Sequence, residues 1–258
     1  MGNQQELTQR WDAFLQKIES RFNESLVHAE EACREQLVET DYEYETVFRS
    51  WSGMKAQIDE LISKIDSVWH GKVRPEMEMV GDFYIDEGYK ASETNDRLTE
   101  ELFAFQRQLE GKLSQQFYNH AIQIANKKAS CSQCDADLEI KRDIFRAQYL
   151  TCKFCNSVNT VQPETKFMKI GWGIIDNIAA IKTQNEYDVM NNAADAISSY
   201  RGQAPESLWM TYQNAHEGYW DAYFKERIKL SSDAAERYDA DMARKRKEFE
   251  NYKEIQTK

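Results

Sequence analysis

Apolar residues recur along this chain at helical spacing, and one stretch interrupts them. Between residues 44 and 68 they fall at Tyr44, Val47, Trp51, Met54, Ile58, Leu61, Ile65 and Val68. The steps alternate between three and four, the spacing of a heptad seam on which one helix packs against another. The preceding residues follow a looser version: Leu7, Trp11, Phe14, Ile18, Phe22, Leu26, Ala29, Cys33 and Leu37. Their consecutive steps of four change the supercoil locally. No proline lies between residues 5 and 70, so the span reads as helical throughout. Unbroken, it would be about 100 Å long at about 1.5 Å per residue.

His70-Gly71 followed by Pro75 reads as a stop and a restart, because Gly suits a C-cap and Pro a first helical turn. The next helical pattern runs from there to residue 127, with a seam at Leu98, Leu102, Phe105, Leu109, Leu113 and Phe117. A short turn between two long helices makes them antiparallel neighbours. Beyond Pro163, one helical face carries Phe167, Gly171, Ile174, Ile175, Ile178 and Ile181, and the spacing continues through Tyr187, Met190, Ala194 and Ile197. Gly202 and Pro205 mark a break and a helix start. A thin seam at Ala235, Tyr238, Met242, Phe249 and Tyr252 carries the pattern to the end. The expected fold is mainly α: an elongated antiparallel bundle or coiled coil of long helices, with a small β segment inserted. The expected domains are a helical hairpin at 1–127, the insert at 128–166, and a second hairpin at 167–258 that packs with the first.

The insert carries the candidate chemistry. Residues 131–155 read CSQCDADLEIKRDIFRAQYLTCKFC and hold four of the five cysteines, as the pairs Cys131/Cys134 and Cys152/Cys155. The 17 residues between the pairs match the spacing of about 15–20 for a four-cysteine zinc site. A C-x-x-C turn aims two sulfurs at one centre, and two such turns supply the four thiolates of a tetrahedral ion. Leu138 to Ile140, Phe145 to Leu150 and Val158 to Val161 alternate or are β-branched, as short strands do. A segment this short has too small a core of its own, so metal binding supplies its stability.

Residues 128–166 resemble a zinc ribbon of the rubredoxin-like type. Knuckles of that family usually read C-P-x-C-G, with Gly where the backbone turns left-handed. Here those positions hold Asp135 and Asn156, which tolerate the conformation better than other side chains do. Ser132 and Lys153 stand in place of the prolines. The resemblance implies one structural Zn2+ held by Cys131, Cys134, Cys152 and Cys155. The ligand set alone also admits iron, which would make a redox site. Four thiolates leave no open position for water, so the site is not read as a catalytic zinc.

Charge limits the choice of partner. The chain carries a formal −11, which repels nucleic acid unless a basic patch is segregated. Between residues 127 and 166 seven Lys/Arg face five Asp/Glu, and zinc with four thiolates offsets the +2. Lys141, Arg142, Arg146 and Lys153 would make a small basic face, and Phe145, Tyr149 and Phe154 would offer stacking surfaces. The favoured reading puts these aromatics in the ribbon's own core. Charged residues make up 30% of the chain, but 12% aromatics with only 10 Gly and 3 Pro argue for long helices rather than disorder.

Other chemistry is absent from the sequence. No phosphate-binding Gly loop, nucleophile elbow or H-E-x-x-H motif occurs. No Glu precedes a histidine by three residues, which removes a di-iron bundle site. Cys33 reads as a buried free thiol in a seam. The apolar run at 167–181 reads as bundle packing, and the basic cluster ARKRKEF at 243–249 as a partner for neighbouring acids. No secretory leader or membrane span is read, so the expected location is the cytoplasm, where thiols stay reduced. The expected function is a non-enzymatic scaffold or adaptor, without catalytic residues or organic cofactor. Its seams would bind partner helices or a second copy, and its ribbon would provide recognition. A nucleic-acid-associated factor and an iron electron carrier are the alternatives.

Overall fold

A computed structural model describes residues 2–139, 147–162 and 171–257. Among the described residues the fold is mainly α, with one small antiparallel β pair inserted. The chain divides into two compact units, residues 1–109 and 110–258.

The first unit is built on three long helices rather than two. Helix α1 spans Gly2–Glu39 and α2 spans Tyr44–Val68, so the expected continuous helix is broken at residues 40–43. No Gly or Pro marks the break. Asp41 and Tyr42 take left-handed backbone conformations, φ 51° and 60°. The Tyr42 N–H reaches back to the Leu37 carbonyl at 2.8 Å, closing the end of α1. The left-handed residues carry a conformational cost of about 1–2 kcal/mol each, offset when α2 folds back along α1.

The predicted stop at Gly71 is also displaced. The chain continues through a π-helical turn, Trp69–Val73, into a short α3, Arg74–Glu78, with Pro75 in its first turn. The chain enters α3 already helical at Val73, φ −70° and ψ −50°, so Pro75 lies inside a continuous helical run just after the π turn. The chain turns only at residues 79–83, and α4 then runs over Tyr84–Lys128.

Side-chain contacts give the helix directions. Asp12 pairs with Lys90 and Glu19 with Arg97, both 78 residues apart, so α1 and α4 run parallel. Trp51 meets Phe105, Asp66 meets Asn95 and Trp69 packs on Gly88, so α2 runs antiparallel to α4. A Cβ at Gly88 would lie 2.9 Å from the Trp69 ring. Because α2 faces two neighbours, its buried stripe is wider than a heptad seam. Met54 and Leu61 are only half-buried, while Ile62, outside the seam, is buried.

In the second unit the end of α4 packs against α5, Gly171–Lys182. Ser114 bonds Asn177, and a Cβ at Gly111 would overlap Ile181. Helices α6, Gln184–Ser198, and α7, Glu206–Leu230, follow. A 3-10 turn, Ser232–Arg237, then leads to α8, Tyr238–Thr257. The break read at Gly202 and Pro205 separates α6 from α7, but the sequence pattern did not part α5 from α6, which separate at Thr183, whose hydroxyl bonds the Ala179 carbonyl at 2.8 Å. After α7, Ala234 is buried and the predicted Ala235 exposed. Phe167 and Pro163 lie outside the described residues.

Helix α7 is the hub of this unit, packing against α5, α6 and α8. Trp209 packs with Ile197 and Phe249. The Trp220 indole N–H donates to His216 Nε2 at 3.1 Å, which requires a neutral ring. Burial, with Lys245 nearby, holds the His216 imidazole below its ordinary value. Protons therefore bind the unfolded chain more readily at this residue. Its contribution to stability is complete above the unfolded value of about 6.5 and declines as pH falls below it. Urea midpoints at pH 7.5 and pH 5.5 should fall further for the wild type than for His216→Gln, which keeps an acceptor but does not titrate. Equal falls would remove His216 from the acid response.

No helix among the described residues is long and apolar enough to cross a membrane.

Candidate metal centre

The four-cysteine segment is made of two backbone turns of the same design. In the first, the Cys131 N–H donates to the Ala136 carbonyl and the Asp135 N–H to the Cys131 carbonyl, both at 2.8 Å. In the second, the Cys152 N–H donates to the Ser157 carbonyl at 2.9 Å and the Asn156 N–H to the Cys152 carbonyl at 3.0 Å. Asp135 and Asn156 both have φ 59°, the left-handed conformation for which a short polar side chain is the best substitute for Gly.

Among the described residues, two strands complete the segment: β1, Gln148–Thr151, and β2, Val158–Val161. They pair antiparallel, with Leu150 opposite Asn159 and Thr151 opposite Val158. A single bridge joins Ser130 and Asp137. The strand predicted at 138–140 does not form at Leu138 and Glu139; Ile140 and the next six residues lie outside the described residues. Leu150 and Asn159 point inward, and a small core gathers Ala129, Leu138 and Leu150 around Cys131 and Cys152.

The turns bring Cys131, Cys134, Cys152 and Cys155 together, with all four sulfurs within 4.8 Å of one another. Cys131 and Cys155 are 3.5 Å apart, and Cys134 and Cys152 3.6 Å. A tetrahedral ion with bonds of about 2.3 Å needs sulfurs about 3.8 Å apart. None of the cysteines is in a disulfide. The donor set fits a metal ion.

Polar groups around the sulfurs favour thiolates. The Ser157 hydroxyl lies 3.1 Å from both Cys131 and Cys155, and the Phe154 amide donates to the Cys152 sulfur at 3.4 Å. The Ser157 hydroxyl, then the Gln133 amide, draw the Cys131 thiol down to about 5. Cys155 is lowered too, by the Ser157 hydroxyl and amide. At Cys134 the Ala136 amide pulls downward, but crowding by Cys155 and Cys152 pushes the thiol up to about 12. Four sulfurs this close cannot all ionise without a cation between them. Cys33 is different: it is buried in a helix seam and raised to about 11 by desolvation, the state of an inert thiol.

The aromatic residues overturn one expectation. Tyr149 is 74% exposed and Phe154 80%, so neither fills the core of the segment. Alternation along β1 and β2 places Tyr149, Thr151, Val158 and Thr160 on the outer face. Among the described residues, the core is filled by the smaller side chains of Ala129, Leu138 and Leu150 with Cys131 and Cys152. Lys153 pairs with Glu139 at 3.0 Å. Phe145, Lys141, Arg142 and Arg146 lie outside the described residues. In α8, Arg244, Lys245 and Arg246 pair with Asp241, Glu248 and Glu217, as read for the basic cluster at 243–249.

Ser157 and Asn159 were missed by motif reasoning. The available clue was an Asn inside the strand Val158-Asn159-Thr160-Val161, at an inward position where an apolar residue is expected.

Compared with known proteins, the chain matches no family model, and no curated protein or solved structure is significantly similar to it. The geometry of the segment defines a candidate four-cysteine metal centre beside a two-stranded sheet.

Proposed function

We propose that this chain is a non-enzymatic zinc-binding scaffold or adaptor whose ribbon contacts a protein partner. The exposure of Tyr149 and Phe154 on so small a segment carries this reading. Large rings held in water by a rigid frame form a contact surface, and aromatic residues are enriched among the anchors of protein interfaces. Zinc suits the role because it has no redox chemistry and accepts a closed tetrahedron of thiolates. A reducing compartment, such as the cytoplasm, keeps those thiolates available. The helical units provide the frame and further surfaces for a partner helix or a second copy.

The same rings favour a second reading, in which bases stack on Tyr149 and Phe154 and the chain is a nucleic-acid-associated factor. Affinity capture from native lysate separates the two. The intact protein is compared with a Tyr149→Ser/Phe154→Ser variant, followed by mass spectrometry and nucleic-acid staining. A protein partner lost with the two rings supports the adaptor. Nucleic acid that is captured by the intact protein and released by salt supports the second reading. Partners unchanged by the substitutions place recognition on the helices. Metal analysis of the purified protein should find one zinc per chain; a coloured, redox-active iron protein would overturn the zinc assignment.

A further inference from the structure

Asn159 occupies an unusual position for its chemistry. It is 6% exposed, on the inward face of β2, against the core that contains Cys131 and Cys152. A buried amide must be satisfied, and this one uses both of its ends. Its Oδ1 accepts from the Ser132 N–H and from the Ser132 hydroxyl, each at 2.9 Å. A backbone N–H can only donate, so this contact sets the orientation of the amide. Nδ2 then faces the other way. It donates to the Ser157 carbonyl at 3.1 Å and lies 3.6 Å from the Cys131 sulfur. Ser157 completes the arrangement, its hydroxyl within 3.1 Å of Cys131 and Cys155 and 3.3 Å of Asn159 Nδ2.

Three polar residues thus tie the two turns together across the cage. Ser132 belongs to the first turn, Ser157 closes the second, and Asn159 bonds both. We propose that Asn159 and Ser157 are positioning residues for the metal. They hold the first turn's ligand, Cys131, against the second turn, and supply polar hydrogens that spread the charge of its thiolate. The inference rests on the four-thiolate metal site and adds the residues that order it. Partners of this kind, behind the ligands, typically contribute about 10–100-fold to metal affinity.

Asn159→Asp keeps the size of the side chain but replaces the donor that faces sulfur with a carboxylate oxygen. Ser157→Ala removes the shared hydroxyl and leaves the backbone bonds of the turn intact. Full-length wild type and both variants are titrated with Co2+, read through its visible d–d and thiolate charge-transfer bands. Zn2+ then competes against a chromophoric chelator. The expected result is a tetrahedral four-sulfur cobalt spectrum at saturation in all three proteins. The charge-transfer band should shift in the variants, and zinc affinity should fall about 10–100-fold in Asn159→Asp. Should Asn159→Asp fail to give that spectrum at any cobalt concentration, Ser157→Ala decides: weakened zinc binding with a shifted band supports the proposal. Variants that bind zinc within twofold of wild type with unshifted bands would overturn it. A wild type that gives no thiolate–cobalt band would instead overturn the metal site itself, and the positioning role with it.

Discussion

Cys152→Ser is expected to abolish stoichiometric zinc binding and unfold the four-cysteine segment, while leaving nearly all of the helical far-UV signal. Cys152 is completely buried. Its backbone holds both hydrogen bonds of the second turn, and its sulfur accepts the Phe154 amide. A structural zinc site contributes about 10–16 kcal/mol of apparent binding free energy. The local core, a few small apolar residues around two cysteines, cannot replace that. The mutant should therefore lose most of its zinc affinity, and amide resonances of residues 147–162 should collapse to random-coil positions. The helices have cores of their own, at Trp11, Phe22 and Trp51 in one unit and Ile174, Ile178 and Trp209 in the other. Ellipticity at 222 nm measured beside zinc content checks this. A collapse of helicity in the mutant would mean that the segment is integral to helix packing.

In the first unit, Trp51→Ala should cost about 3–5 kcal/mol, the usual range for deleting a buried Trp or Phe ring. Trp51 is 1% exposed and meets Phe105 edge-on at 5.7 Å. It contributes to the α2–α4 contact, and the cavity left behind would be lined by stiff helices with little room to collapse. Met54→Ala should cost distinctly less, because Met54 is only half-buried. Urea denaturation of both variants tests the point. Similar losses would mean that the heptad seam, rather than the wider stripe, describes the packing of α2.

Helical periodicity was legible wherever one face is buried, as at Leu98, Leu102, Leu109, Leu113 and Phe117. Helix ends were much less so. The turn at Asp41 and Tyr42 lacks Gly and Pro and exists because two helices pack on either side of it, a tertiary cause that local pattern does not record. Gly71 and Pro75 look like punctuation but lie within continuous helical structure. Gly71 has open space where its Cβ would be, so nothing there requires a glycine. The parallel return of α4 along α1 could not be read either, since it depends on where the chain turns. At the site, cysteine spacing was enough to gather the four ligands, because the geometry of a C-x-x-C turn is local. Asn159 and Ser157 escaped because their partners, Ser132 and Cys131, are 26 to 28 residues away by sequence number. The exposure of Tyr149 escaped because an aromatic residue in a strand is ordinarily counted toward a core; Phe154 lies in the second turn, between Cys152 and Cys155.

The matching design of the two turns also sets the order in which the centre assembles. Each turn is closed by hydrogen bonds among its own residues, 131–136 and 152–157. An incoming ion therefore meets two sulfurs at once, at either turn. The remaining two must arrive through the 17 residues between Cys134 and Cys152. Closing a connection of that size takes well under a millisecond, since loops of about 10 residues close in roughly 10–100 ns, and the entropic cost grows only with the logarithm of length. With a metal bound as proposed, encounter with the ion would be the slow event, and the time this segment needs to become structured would follow how much free metal surrounds it.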